Sequence, residues 1–212
     1  VATILRDLSY RYQWLYDGIS RLAALSVGGE ARFRQLALQG IAIADQTPVL
    51  DLCCGSGQTT AFLVQRSQQV TGLDASPLSI QRARQNMPEA TYVEGLAERM
   101  PFGAESFEVV HTSAALHEMT PPNLRQIVQE VYRVLKPGGY FLVTDFHQPT
   151  NPLMMPGLAL FFWLFETETA WQLLRTDLVQ LLEEVGFAPV QQTLYAGGSL
   201  QVIQARKPSD KH

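Results

Sequence analysis

The segment VLDLCCGSG, residues 49–57, dictates the local geometry around it. Apolar and acidic positions of strand type run into Gly55 and Gly57, and helical composition follows from Gly57 to Arg66. Glycines there let the backbone turn tightly and let a ligand lie against the main chain. In an open α/β sheet such a turn sits at the carboxyl end of a strand, where ligands bind. The next strand-like run, QVTGLD, ends at Asp74, 23 residues after Asp51. A carboxylate at that post can accept two hydrogen bonds from a ribose diol, so a nucleoside-containing cofactor is expected.

Cys53 and Cys54 are the only cysteines. A thiolate metal site wants Cys-x-x-Cys spacing and further ligands, and consecutive strand residues point to opposite faces. They read as small apolar fillers in a reducing compartment, and no metal is expected. The loop continues Gln58, Thr59, Thr60, without the second half of G-x-G-x-x-G, which argues against NAD or FAD.

Strand and helix patterns alternate along most of the chain. Helices are predicted over 6–26, 32–43 and 57–66, and from Ser76-Pro77 to about Met87. TYVEG and 106–113 read as strands. Thr120-Pro-Pro starts a helix with Leu124, Ile127, Val128, Val131 and Leu135 on one side, and Lys136-Pro137-Gly138-Gly139 ends it before the strand YFLVTDF. Another helix follows, capped by Thr176 and stopped by Gly186. Residues 188–195 and 199–206 pair as a hairpin across AGGS. This alternation predicts a mostly parallel central sheet between helices, with an antiparallel strand at one end.

The 212 residues fit one domain, 1–212, with an N-terminal helical segment over 1–45 and an apolar insertion over 148–172. The chain carries 16 Lys and Arg against 20 Asp and Glu, so there is no basic excess for nucleic acid. No cleavable signal pattern is visible, and the apolar run 156–165 is too short to span a bilayer, so a cytoplasmic location is expected.

Taken in order, VLDLCCGSG, GLDASPLSIQRAR, EGLAERMPFGAESFEVVHTSAALHEM and VYRVLKPGGYFLVTD resemble the successive motifs of the class I S-adenosylmethionine-dependent methyltransferases. The likeness covers nearly the whole chain. YDGISRLAALSVGGEARFR and GGSLQVIQARK are similar to segments of the ubiquinone and menaquinone C-methyltransferases within that class. The resemblance implies a seven-stranded Rossmann-like sheet with helices on both faces, and S-adenosylmethionine as cofactor.

Carried over by motif, the backbone around Asp51, Cys53, Gly55 and Gly57 would cradle the methionine end. Asp74 would hold the ribose, and Ala75 and Ser76 would lie beside the adenine. Ser113 and Ala114 would sit near the sulfonium. The family often has an acidic residue before alanine after the third strand. Here it is Leu96-Ala97, which leaves the Ala97 N–H, Glu94 or Glu98 to meet the adenine. Asp51 has a second reading, as a tie for the glycine turn.

If the acceptor is a phenol or ring carbon, a base helps. His117, His147 and Glu118 are the candidates, each with packing, capping or solvation as its plainer reading. Tyr10, Tyr12, Tyr16 and Asp17 read either as a lid over the site or as packing. The apolar run 154–171 has three readings: core packing, a channel for a hydrophobic acceptor such as a prenylated quinone precursor, or shallow contact with a membrane surface. O- or N-methylation and a non-catalytic cofactor-binding protein stay as alternatives. Oligomeric state stays open.

Overall fold

The computed structural model describes residues 27–209. Among them one sheet holds β1 (Val49–Leu52), β2 (Val70–Asp74), β3 (Thr91–Glu94), β4 (Phe107–Ser113), β5 (Leu135–Phe146), β6 (Val190–Tyr195) and β7 (Leu200–Arg206). Their order is β3-β2-β1-β4-β5-β7-β6. β1 to β5 pair in parallel, β7 runs antiparallel to β5, and β6 runs antiparallel to β7. β7 is therefore the one reversed strand, as the predicted hairpin requires. The winding direction changes between β1 and β4, which opens a crevice at their carboxyl ends.

β1 is buried along its whole length and β4 almost so, because helices cover both faces. One face packs Leu50, Leu52, Val110, Phe141 and Val143 against α4 (Pro121–Val134) and α7 (Leu178–Val185). The other packs Val49, Val70, Val109 and Leu142 against Leu36, Ala37, Leu38 and Leu63. α3 (Pro77–Asn86) starts as predicted, with Ser76 Oγ accepting the Ser79 N–H at 3.2 Å.

Several boundaries differ from the sequence expectation. The predicted helix 32–43 is α1 (Glu30–Gln35) followed by a 3₁₀ turn, Leu36–Leu38. Three consecutive buried residues cannot lie on the single apolar stripe of a surface helix. The helix expected over 57–66 shrinks to the one turn α2 (Thr60–Leu63). Leu135 belongs to β5, where it pairs with Phe107. The strand then bulges through Lys136–Gly139 before Tyr140 meets Val109. A Cβ on Gly139 would lie 2.8 Å from the Glu108 carbonyl oxygen, so the bulge needs glycine there. The cap of α7 is Asp177, whose Oδ1 accepts the Gln180 N–H at 2.9 Å. Thr176 instead donates its hydroxyl to the Gln172 carbonyl at 2.9 Å.

The apolar insertion forms α5 (Met155–Phe165) and, after a two-residue link, α6 (Glu168–Leu174). Phe162 is fully buried with Ala170 and Leu174, in a cluster separate from the main core. Leu153, Leu160 and Trp163 are 84%, 57% and 58% exposed. Core packing thus accounts for one side of α5 only. Tyr10, Tyr12, Tyr16 and Asp17 lie outside the described residues. Among the described residues no helix is long and apolar enough to cross a membrane.

Candidate active site

The crevice floor is built where β1 and β2 end. Cys53 has φ 56°, Gly55 φ 55° and Gly57 φ 85°, so the chain coils back under its own amides. The Gly55 N–H donates to Asp74 Oδ2 at 2.9 Å, and the Ser76 N–H donates to Asp74 Oδ1 at 2.9 Å. Each oxygen keeps a further lone pair. Burial pushes the Asp74 carboxyl above its usual range, although these two N–H donors oppose the shift. Ala75 is exposed beside it. Asp51 lies beneath the floor, only 2% exposed, where Oδ2 accepts the Thr60 hydroxyl at 2.6 Å. Its Oδ1 lies 3.5 Å from His111 Nδ1. Among the described residues the side-chain partners of Asp51 are thus Thr60 and His111.

The Cys53 thiol is pushed far up, first by burial and then by Asp74, Glu118, Asp51 and Glu98. A thiol so placed is a poor nucleophile. The same crowding marks the crevice as electronegative. Glu118, half-buried in the 3₁₀ turn Leu116–Glu118, also raises Asp74, so it faces the crevice too. Ala97 is buried at 6% while its neighbour Leu96 is 45% exposed. Their loop is held on α4 by Arg133, which donates to the Phe102 and Met100 carbonyls at 2.7 and 3.2 Å.

β4 ends with Ser113, whose buried Oγ has no hydrogen-bond partner among the described residues. Ala114 follows at φ 53°, its N–H on the Thr144 carbonyl at 2.8 Å. The turn beyond is organised by Asp145, a residue the motifs did not single out. Asp145 Oδ2 accepts the N–H groups of Ala115, Leu116 and His117 at 3.1, 2.8 and 3.4 Å. Its Oδ1 takes the Phe146 N–H and His117 Nδ1, both at 2.8 Å. The available signal was positional: Asp145, like Asp74, sits at the carboxyl end of a parallel strand.

His117 is 4% exposed, with Nε2 3.5 Å from Glu166 Oε2 in the α5–α6 link. Burial alone would lower its pKa, but Asp145, Glu166 and Glu118 together raise it to about 9. A carboxylate stands against each ring nitrogen, which favours the protonated ring and a positioning role over the proton acceptor considered from the sequence. His147 differs. Its Nδ1 lies 2.9 Å from the Gly198 carbonyl, which can only accept, so the neutral ring leaves its lone pair on Nε2. His147 lines a cavity of about 440 Å³ with Gln148, Arg175, Asp177 and Gln192. Among the described residues no three His, Cys, Asp or Glu side chains are grouped to hold a metal ion.

S-adenosylmethionine fits these residues. A Cβ built on Gly55 would meet no atom within 4 Å, so the turn opens onto free space. Spare acceptors on Asp74, the unpartnered Ser113 hydroxyl and the ring of carboxylates suit a ribose, a polar tail and a sulfonium cation.

Comparison with known proteins gives the same class. The family described as "Methyltransferase domain" matches residues 49–139. A protein of Synechocystis sp., described as an uncharacterised methyltransferase, is 59% identical over 206 residues, 97% of each chain. A demethylmenaquinone methyltransferase of Paenarthrobacter aurescens is 26% identical over 231 residues, covering 100% of this chain and 87% of that one. A 2-phytyl-1,4-naphthoquinone methyltransferase of Thermosynechococcus vestitus is 27% identical over 97% of this chain and 100% of the other. The S-adenosylmethionine-dependent methyltransferase structure from Mesorhizobium loti superimposes with TM-score 0.64 at 18% identity, over 84% and 98% of the two chains. The chain belongs to the class I S-adenosylmethionine-dependent methyltransferases. Within that class it lies close in sequence to the quinone methyltransferases.

Proposed function

We propose that this methyltransferase acts on a ring carbon of a hydrophobic small molecule of the prenylated quinone or phenol type. The observation that carries the reading is the aromatic wall at the carboxyl end of β5. Phe146 packs edge-on against Phe162, with centroids 4.9 Å apart, and lies 5.8 Å from Phe161; Trp171 meets Phe162 at 5.2 Å. Phe162 is the buried centre of this cluster, and a flat apolar ring suits the part-exposed faces of Phe146, Phe161 and Trp171 around it. The names carried by the two quinone-methylating relatives support the same class of acceptor. The exposed ridge of Leu153, Leu160 and Trp163 supports delivery from a lipid surface.

When bound, S-adenosylmethionine supplies an electrophilic methyl group on a sulfonium. The Gly55–Gly57 turn and Cys53 backbone would hold the amino-acid end, Asp74 the ribose, and Ala75, Ser76 and Ala97 the adenine, with Ser113 toward the reacting end. Glu118 and the other carboxylates favour the cation. Alignment of the acceptor supplies much of the rate. His147 Nε2 and the Glu118 carboxylate are the groups able to take the proton that the ring loses.

The test is calorimetric titration with S-adenosylhomocysteine beside NADH, then incubation with S-adenosylmethionine and a demethylated quinone, with products read by mass spectrometry. Saturable homocysteine-product binding, silent NADH and a ring-methylated product are expected. Methylation of an amine or hydroxyl acceptor instead would replace the quinone reading, and binding without transfer to any acceptor would point to a non-catalytic role.

A further inference from the structure

The aromatic wall ends at Phe146, and there the chain passes into a surface of a different kind. Residues 147–150 form one side of the cavity of about 440 Å³. Residues 174–178, where α6 gives way to α7, form the second side, and Gln192 with Gln201 forms the third. Small-molecule sites run from roughly 300 to 1,000 Å³, so the space suits an organic molecule. None of the residues assigned to the cofactor lines it.

Each side is braced by its own hydrogen bonds. The His147 N–H donates to the Ser199 carbonyl at 3.0 Å, its Nδ1 to the Gly198 carbonyl at 2.9 Å, and the Thr150 hydroxyl to the Gly197 carbonyl at 3.2 Å. Gln201 is 1% exposed; its Nε2 donates to the Phe146 carbonyl at 2.8 Å and its Oε1 accepts Gln192 Nε2 at 2.9 Å. Thr176 and Asp177 are turned to the ends of α6 and α7. The walls are thus shaped before a ligand arrives, which lowers the ordering cost of binding.

Arg175 differs from these neighbours. It lines the cavity, and among the described residues no hydrogen bond, ion pair or ring contact engages its guanidinium. The acidic residue on the same lining is Asp177, whose carboxylate caps α7. The charge left for a ligand is therefore positive, the reverse of the carboxylate-rich crevice. A guanidinium presents a planar fork of donors that matches a carboxylate or a phosphate. His147, Gln148 and Gln192 add polar groups around it.

We propose that this cavity binds the oxyanion of a small organic molecule, a carboxylate or a phosphate, and that Arg175 is its anchor. Two sources carry such a group: an acidic substituent on an acceptor whose ring lies on the wall, or a separate small molecule. Only the first source rests on the acceptor site proposed above.

The experiment titrates the full chain, saturated with S-adenosylhomocysteine, with para-hydroxybenzoate and with glycerol phosphate in a calorimeter. Wild type is compared with Arg175→Gln and with Lys136→Gln, which removes a cation at the opposite end of β5. Arg175 is exposed and its side chain holds nothing in place, so its variant should fold and bind S-adenosylhomocysteine as wild type does. Saturable binding of at least one probe is expected, weakened at least about tenfold in Arg175→Gln and unchanged in Lys136→Gln. Silence of both probes overturns the site. So does equal affinity in Arg175→Gln, or an equal loss in Lys136→Gln, which would be a general charge effect. A bound probe that raises the KM of a demethylated quinone at constant kcat puts the oxyanion on the acceptor, and unchanged kinetics assign it to a separate molecule. Probe binding with no methylated quinone would keep the cavity and remove the acceptor reading, because calorimetry needs no acceptor.

Discussion

Asp74 closes β2 with one oxygen on the Gly55 N–H and the other on the Ser76 N–H, both at 2.9 Å. The carboxylate therefore shapes the glycine turn as well as offering acceptors to a ribose. Replacing it with alanine removes both services. S-adenosylhomocysteine binding to Asp74→Ala should weaken by roughly 1–3 kcal/mol, the usual loss for hydrogen bonds to a charged group. Calorimetry measures it, and unchanged affinity would sink the ribose contact. Asp74 was legible in the sequence because its meaning is local: a strand, a glycine loop and an acid at a fixed distance. Asp145 was not. Its partners Ala115, Leu116 and His117 come from another strand's loop, 28 to 30 positions earlier. His117 was singled out by its place after the fourth strand, but its charge depends on Asp145 first and then on Glu166 and Glu118, and only the folded chain brings Asp145 and Glu166 close.

Elements follow the same division. The alternation of strand and helix, the Ser76-Pro77 and Thr120-Pro-Pro starts and the terminal hairpin all rest on neighbours within a few residues, and the structure has them. The end of α1 and the true start of β5 rest on what is buried around Leu36–Leu38 and on the pairing of Leu135 with Phe107, which no local window contains. At the start of α7, Thr176 and Asp177 are both good caps in adjacent positions. Asp177 wins because Thr176 turns its hydroxyl back to close α6 on the Gln172 carbonyl. The cap has a measurable worth. Asp177→Ala should lower stability by about 1 kcal/mol in urea or thermal unfolding. Thr176→Ala, which removes no donor's only acceptor, should cost less. Equal losses, or a larger one for Thr176→Ala, would return the cap to threonine.

At the scale of the whole molecule, the crevice joins the carboxyl ends of β1, β2 and β4, where β1 is buried along its whole length and β4 nearly so. A ligand seated there binds the folded chain and finds no such surface in the unfolded one. Folding is then linked to ligand concentration. At about a hundred times the dissociation constant the gain is roughly 2.7 kcal/mol. For a domain of this size each kcal/mol raises Tm by about 2–4 °C, so S-adenosylhomocysteine should raise Tm by about 5–10 °C. NADH at the same concentration should leave it unchanged, because the loop after β1 lacks the pyrophosphate half of the dinucleotide turn. Asp74→Ala should shrink the rise, because its carboxylate shapes the glycine turn of the crevice floor. A rise preserved in Asp74→Ala would move the binding site away from β2.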